Sequence, residues 1–417
     1  MSGWTETPLR ALATLNDETL PESFDPGAEI SYVEIGGVAE ATGLAWNEPV
    51  AFGAAPSRAR RVIRDGDVIV STVRTYLRAV AGVERPPSNA VASTGFAVLR
   101  PRRVRPGFLR YALLSDSFLR EVIARSVGVS YPAINASELM SMRVPVPSAG
   151  TQHRVIEYLD RETAEIDAFI ADQERLIELL TERRSASLAA LVSSPSSDRR
   201  AVRLGWVAQI GNGSTPSRDN DAYWSDDGFP WLNSSVVNQD SIMSTDQFVT
   251  TLALQQCHLP VVPPGSVLVG ITGEGRTRGM ATLLNMTATI SQHLAFITPN
   301  ADLLLPDYLL AVLGASYREL RRISEGAGST KGALTCGDIK SHRIRVPPLS
   351  EQRGIAQAAK SLEAWTGGAV ADARRAVELL RERRVALISA AVTGQIDVTG
   401  RHRASVAVSD PPARMVP

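Results

Sequence analysis

ELLTERR at residues 178–184 and ELLRERR at residues 378–384 are one seven-residue phrase written twice, 200 positions apart. The same displacement pairs Val146-Pro147 with Val346-Pro347 and Gln152 with Gln352, each just ahead of a long helical pattern. With a displacement near 199, DGDVIV (65–70) faces PGSVLV (264–269) and ISYVEIGGV (30–38) faces FPWLNSSVV (229–237). VASTGFAVLRP (91–101) likewise faces TISQHLAFITP (289–299), and PGFLRYALLSDSFLREV (106–122) faces PDYLLAVLGASYRELRR (306–322). The order is globular unit, helix, globular unit, helix, and a period near 200 is too long for a solenoid. A duplicated chain implies two similar sites.

The helices are legible from their apolar spacing. Leu159, Ile166, Phe169, Leu176, Leu180 and Leu191 recur near every seventh residue with charges between, which predicts an amphipathic helix over about 151–193. Ile355, Leu362, Ala369, Ala373, Ala376, Leu380 and Leu387 repeat the theme, and the small residues predict close approach of another helix. The nearest partner for each apolar stripe is the other connector. Gly367-Gly368 predicts a kink or local break, because each glycine costs a helix about 1 kcal/mol relative to Ala. Within each globular unit VIV (68–70) and VLV (267–269) follow turn residues and read as buried strands. One helix per unit is expected, near 106–125 and 306–323, opened by Pro106 and Pro306. Each unit is thus mixed α/β.

Composition sets the class. The 417 residues leave room for two or three domains, and 44% hydrophobic with 21% charged residues is ordinary for a globular protein. No long apolar run and no signal-like N-terminus are present, so a cytoplasmic chain without membrane contact is expected. Cys257 and Cys336 lack CxxC spacing and read as buried thiols. Formal net charge is zero, which argues against a self-sufficient nucleic-acid binder. The average conceals a gradient: residues 1–50 hold nine acids and one Arg, and residues 51–110 hold twelve Arg and three acids, a swing from −8 to +9.

Two variable units alternating with two helical connectors, the prolines and Gln of VPVPSAGTQ (144–152) and VPPLSEQ (346–352), and the ending ERRVALISAAVTGQIDV (382–398) resemble the specificity subunit of type I restriction-modification systems. GNGSTPSRDNDAYW (211–224) adds to that resemblance, which covers residues 5–398. The resemblance implies two similar mixed α/β target recognition domains separated by two long helices that pair as an antiparallel coiled coil, with pseudo-two-fold internal duplication. It implies target recognition domains at 1–142 and 200–342, connectors at 143–193 and 343–397, a linker at 194–199 and a disordered tail at 398–417. Each domain would read one half of a split double-stranded DNA sequence. The helices would dock methyltransferase subunits, two of them, and through these the translocating restriction subunits where such are encoded. The SAG of the first connector and the Gly pair of the second depart from the pattern and bear on local helix geometry.

Base readout uses Arg on guanine and Asn or Gln on adenine, with hydroxyls and amides on phosphates. Loops with these residue types recur at matching places. After one strand come Arg74, Tyr76 and Arg78; after its counterpart come Thr272, Arg276 and Arg278. Ahead of each connector stand Ser130, Tyr131 and Asn135 in one copy and Ser329, Thr330 and Lys331 in the other. Asn212, Ser214, Thr215 and Arg218 complete the set of expected DNA contacts, each weighed against an ordinary solvated turn. RPRRVRP (100–106) reads more simply as a solvated edge than as part of the DNA field.

No catalytic role is expected. A nuclease pattern forced onto Pro306-Asp307 and Asp338-Ile339-Lys340 fails in the first copy, which has Pro106-Gly107 and Glu138-Leu139-Met140, and Asp307 suits a helix N-terminus. There is no P-loop and no methyltransferase N/DPPY motif. The histidines at 153, 258, 293, 342 and 402 lack metal-ligand spacing, and His293 reads as a satisfied core or edge residue. No cofactor is expected. The rival reading is a helical scaffold whose globular ends bind protein rather than DNA.

Overall fold

The computed structural model describes residues 3–39, 43–193, 201–239, 241–273, 275–325 and 332–398. The expected linker lies outside the described residues, as does the expected tail beyond Val398. The chain folds as two compact units, residues 1–174 with 375–417, and residues 175–374, so each unit holds part of both long helices.

In the first unit an antiparallel sheet runs in the order Ala13–Leu15, Phe96–Pro101, Val68–Ser71, Val80–Gly82. A second sheet runs Val50–Ala51, Glu29–Val33, Ala90–Ser93, Ala59–Val62, its middle pair parallel. The second unit repeats both. One sheet runs Ala208–Asn212, Leu294–Pro299, Ser266–Gly270, Ala281–Leu284, Ser241–Ile242, and the other Trp224–Ser225, Phe248–Val249, Phe229–Leu232, Thr289–Ile290. The register repeats as well: Val70 faces Ala97 as Val269 faces Ala295, and Tyr32 faces Val91 as Trp231 faces Thr289.

The apolar triplets explain the layering. Side chains alternate across a strand, so Val68 and Val70 enter one core while Ile69 enters another. Val267 and Val269 are separated from Leu268 in the same way. A strand buried on both faces must be apolar throughout, which is why these triplets carry no polar residue.

The expected single helices are each broken in two: Pro106–Leu114 then Asp116–Arg125, and Pro306–Ala315 then Tyr317–Glu325. The cause lies elsewhere in the chain. Ser115 is extended, and the Asp116 amide so released donates to Ser389 Oγ at 2.9 Å. At the second break His342 Nε2 meets Ser316 Oγ at 3.0 Å.

The long helices span Ala149–Ser193 and Leu349–Val392. The second runs through Gly367-Gly368 without the expected break; a Cβ at either glycine would meet nothing within 4 Å, so the glycines sit on an open face. Their cost of about 1 kcal/mol each is offset by a seam that is packed on both sides of them, at Thr366 and Ala373. In the first unit the helices pair antiparallel: Ile166 and Ile170 pack with Val377, Arg384 pairs with Asp167 at 3.0 Å, and Arg381 with Glu174 at 3.0 Å. In the second unit Arg184 pairs with Glu363 at 2.6 Å and Arg183 stacks on Trp365. The last arginines of the repeated phrase are thus cross-helix ion pairs. Two expected seam residues, Phe169 and Leu176, are exposed instead, their places taken by Ile170 and the partly buried Ile177.

The proline-glutamine element joins helix to unit. Arg143–Val146 pairs with Thr5–Pro8, and Arg343–Ile344 with Val202–Arg203. Buried Gln152 then accepts from Arg105 N at 3.0 Å and donates to Pro147 O at 2.9 Å. Gln352 accepts from Leu305 N at 2.8 Å and donates to Pro347 O and Leu303 O, both at 2.8 Å. At the other end of the second long helix Ile388, Ala391 and Val392 enter the first unit's core. Gly394, at φ +71°, closes that helix beneath the Trp4 indole, which a Cβ would strike at 2.6 Å.

Three arginines of the basic middle of the first unit, Arg64, Arg100 and Arg102, pair with the acids that precede it. Arg100 makes a fork with Asp67 at 2.9 Å and reaches Glu18 at 2.7 Å, Arg64 also pairs with Glu18, and Arg102 holds Asp17 at 3.2 Å. Hydrogen bonds from Arg100 and Arg64 hold the Glu18 carboxyl below its usual range. RPRRVRP is therefore not simply a solvated edge. Both cysteines are free, but half-buried rather than buried. Among the described residues no helix is long and apolar enough to cross a membrane.

Replacing Gln152 by Leu strands the Arg105 amide and the Pro147 carbonyl. A loss of about 3 kcal/mol is expected in denaturant unfolding, and a loss below roughly 0.5 kcal/mol would show that the clamp is not structural.

His342 supplies a pH dependence. Burial pushes its pKa below the ordinary 6.5, against the weaker pull of Glu319. The unfolded chain therefore takes up a proton that the native chain refuses, so the stabilisation is complete above about pH 6.5 and falls as pH drops toward the lowered native value. The unfolding midpoint of the wild type should decline over that window and that of His342→Gln less steeply; parallel profiles would refute the assignment.

Candidate nucleic-acid interface

One backbone device builds the same end in both units. Where the central strand of the first sheet runs out, Thr72 N donates to Gly95 O at 2.8 Å and Thr72 O accepts from Ile134 N at 2.9 Å. In the second unit Ile271 N donates to His293 O at 3.0 Å and Ile271 O accepts from Leu334 N at 2.8 Å. Three loops distant in sequence are thereby pinned together in each copy.

In the first unit the pinned loops carry the expected residues. Arg74 and Arg78 flank the short turn Thr75–Leu77, both left-handed at φ 51° and 52°. Non-glycine residues rarely hold this conformation without support. The support is local: buried Thr75 bonds Ser126 Oγ at 2.8 Å, and Arg78 pairs with Asp116 at 3.0 Å. Arg74 lies over the Tyr131 ring, 5.1 Å from its centroid. Val73 and Ala133 bridge the two loops. Tyr76, Leu77, Val129 and Tyr131 are exposed, and Ser130 and Asn135 are exposed beside them. Asn135 precedes a short helix without capping it.

In the second unit GNGSTPSR folds over two tryptophans. Asn212 ends its strand, and Gly213 comes so close to the next strand that a Cβ would lie 1.7 Å from Ile290 O. Ser214 N donates to Ile290 O at 3.0 Å; the indoles of Trp231 and Trp224 donate to Ser214 O at 3.2 Å and Ser217 O at 3.0 Å. Arg218 stacks on Trp224 at 3.8 Å and donates to Gln247 at 3.0 Å. Asn212 is exposed and Ser214 and Thr215 half-buried. Thr272 Oγ1 lies 2.8 Å from His293 Nδ1. Arg276 is exposed, its loop braced by Tyr317 OH on Arg276 O at 2.9 Å and by Arg321 on Gly275 O.

Arg278 is placed otherwise than expected. It is 5% exposed, donates to Gly332 O at 2.6 Å and pairs with Glu325 at 3.5 Å, so its guanidinium is directed inward as a brace. Ser329, Thr330 and Lys331 lie outside the described residues. Sequence reading set aside His293, which stands exposed in this end; its signal was the register, since it occupies the position of Gly95 in the repeat. Among the described residues no cluster of three His, Cys, Asp or Glu could hold a metal.

Residues 197–367 match the family model described as the type I restriction modification DNA specificity domain. The specificity subunit of an Escherichia coli type I restriction enzyme is 18% identical over 255 residues, 59% of this chain and 62% of that subunit, so this match spans less than two thirds of the relative. A putative type I restriction enzyme specificity subunit of Methanocaldococcus jannaschii is 21% identical over 362 residues, 80% of this chain and 79% of the other. A solved chain of a type I R-M system shares 25% identity at a TM-score of 0.76, covering 95% of this chain and 99% of that one. The HsdS subunit from Thermoanaerobacter tengcongensis shares the fold at a TM-score of 0.52 and 24% identity, over 95% and 98% of the two chains. The resemblance read from the sequence holds in these comparisons: over its second half the chain matches the specificity-domain model, and over most of its length it is similar to type I restriction-modification specificity subunits.

Because the approach at Gly213 meets backbone, Gly213→Ala should expel the 212–218 loop and cost about 2 kcal/mol or more. Tryptophan fluorescence should change as Trp224 and Trp231 lose their carbonyl partners; an unaltered spectrum and stability would refute the close approach.

Proposed function

We propose that this chain is the sequence-specific DNA-recognition subunit of a type I restriction-modification complex, reading a bipartite target with one half per globular unit. The recognition domains are residues 1–142 and 200–342, and the connectors 143–193 and 343–397. The observation that carries the reading is the repeated end: one backbone arrangement, pinned by the same bonds in both copies, bearing two different sets of side chains. A protein that reads two unlike half-sites needs that combination.

In the first half Arg74, with Tyr76, Arg78, Ser130, Tyr131 and Asn135, forms the contact surface. Stacking on Tyr131 limits the freedom of the Arg74 guanidinium, and a pre-positioned fork suits the O6/N7 edge of guanine. In the second half Asn212, Ser214, Thr215, Arg218, Thr272 and Arg276 serve, with hydroxyls and amides favouring phosphate and adenine contacts. Arg278 acts as a brace and not as a contact. The long helices dock methyltransferase subunits, two of them, and these recruit restriction subunits where present; exposed Phe169, Leu176, Leu179, Trp365 and Leu379 are apolar groups on the helices available to them. The chain itself carries no catalytic group, and a formally neutral chain leaves part of the phosphate neutralisation to its partners.

The test uses the complex with its methyltransferase partner. DNA binding should weaken steeply with salt, and exchanging residues 1–142 for another member's first unit should change only one half of the methylated motif. Arg74→Ala should cost about 1–3 kcal/mol and relax the choice at one base. Methyl transfer by the chain free of partners, or an unchanged motif after the exchange, would overturn the proposal.

A further inference from the structure

His293 marks the sharpest difference between the two copies at a position where their backbones agree. Its carbonyl accepts from Ile271 N at 3.0 Å, as Gly95 O accepts from Thr72 N at 2.8 Å, so the main chain of this residue is held alike in both. The side chains are not interchangeable. A Cβ on Gly95 would come within 3.0 Å of Val73 Cγ2 and 3.4 Å of Ile35 Cδ1, so the first copy is tight where the second carries an imidazole.

That imidazole is held. The His293 amide is bonded by Ser291 Oγ at 3.3 Å, and its Nδ1 lies 2.8 Å from Thr272 Oγ1, while the residue as a whole stays exposed. An exposed side chain that is fixed at the backbone and again at the ring has little orientational freedom left to lose on binding. Ser214 N is tied to Ile290 O, three residues before His293, so the segment that carries the ring is joined through its main chain to the GNGSTPSR loop.

We propose that His293 is a specificity-determining residue of the second half-site, oriented by Thr272. The 2.8 Å contact admits either direction; we assign the Thr272 hydroxyl as donor to Nδ1, which puts the ring proton on Nε2, so that the exposed edge offers one N–H donor to an acceptor in the major groove: N7 of a purine, O6 of guanine or O4 of thymine. Arg74, supported by Tyr131, has the corresponding task in the first unit, where residue 95 has no side chain. The assignment rests on the DNA-recognition reading above.

The experiment takes the full chain in complex with its methyltransferase partner and presents duplexes randomised over the recognised sequence at fixed ionic strength. His293→Ala should bind the preferred sequence roughly ten-fold more weakly, the loss of one oriented donor. One base of the second half should become degenerate while the first half stays as in the wild type. His293→Gln, which keeps a donor, should recover part of the preference, and Thr272→Val should relax the same base with a smaller loss. His293 is exposed, so the thermal midpoint of His293→Ala should match the wild type. An unchanged motif at unchanged affinity overturns the proposal. So does equal weakening on every sequence, which would make His293 a phosphate contact or a structural residue. A wild-type complex that selects no sequence from the pool sinks the recognition reading itself, and this assignment with it.

Discussion

Two buried glutamines hold the rest in place. Gln152 and Gln352 are 4% and 0% exposed, and each spends both ends of its amide on main-chain groups. One end takes the amide of the N-cap residue, Arg105 or Leu305, of the helix opened by Pro106 or Pro306; the other takes the carbonyl of Pro147 or Pro347, two residues ahead of the long helix. A buried polar group is costly to leave unpaired, so the clamp can open only at the expense of two such groups. The start of each long helix is thereby tied to the globular unit that it leaves.

Around the conserved junctions the copies have drifted in chemistry while keeping geometry. Asp160 accepts from Arg110 at 2.7 Å in one copy; 200 residues on, Lys360 holds Asp307 at 3.4 Å, so the bond from long helix to short helix persists with its charges reversed. Arg184 and Arg384 both reach across to the other helix, but Arg384 is nearly buried and Arg184 is not. An exposed pair contributes little. A buried pair at a seam position is weak as a source of stability and strong as a constraint on register, because sliding the helices would leave a charge alone in the seam.

The recognition ends show the same division. Main-chain bonds at Thr72 and Ile271 are duplicated, and the side chains they display are not. Left-handed Arg74 and Arg78 hold a conformation that costs energy for residues with a Cβ, and Thr75, Asp116 and Tyr131 offset it. In the second copy no described non-glycine residue of the corresponding loop is left-handed, and the loop is propped by Tyr317, Arg321 and the inward Arg278. Rigid backbone with exchangeable side chains is the arrangement in which a recognition surface can change without refolding its support.

The sequence by itself determined the duplication, its register, the existence of two long helices, the first of them to within two residues at either end, and the junction element, because each rests on spacing that recurs in the chain. Aligning the copies equated Val70 with Val269; that the first pairs with Ala97 and the second with Ala295 came from the structure. Only the tertiary structure decided what depends on a partner from far away. Ser389 and His342 sit at the breaks after Leu114 and Ala315, and neither is local to the helix it meets. Phe169 and Ile170 are equally apolar and adjacent, so which one enters the seam depends on the rotation of the paired helix, which a seven-residue rhythm does not fix. Arg276 and Arg278 are two residues apart in a strand-end loop and look alike as text; Arg276 is exposed, and Arg278 is buried on partners 54 and 47 residues on, the Gly332 carbonyl and Glu325. Side-chain direction is a property of the packed surroundings, and those surroundings are assembled from segments that the chain keeps apart.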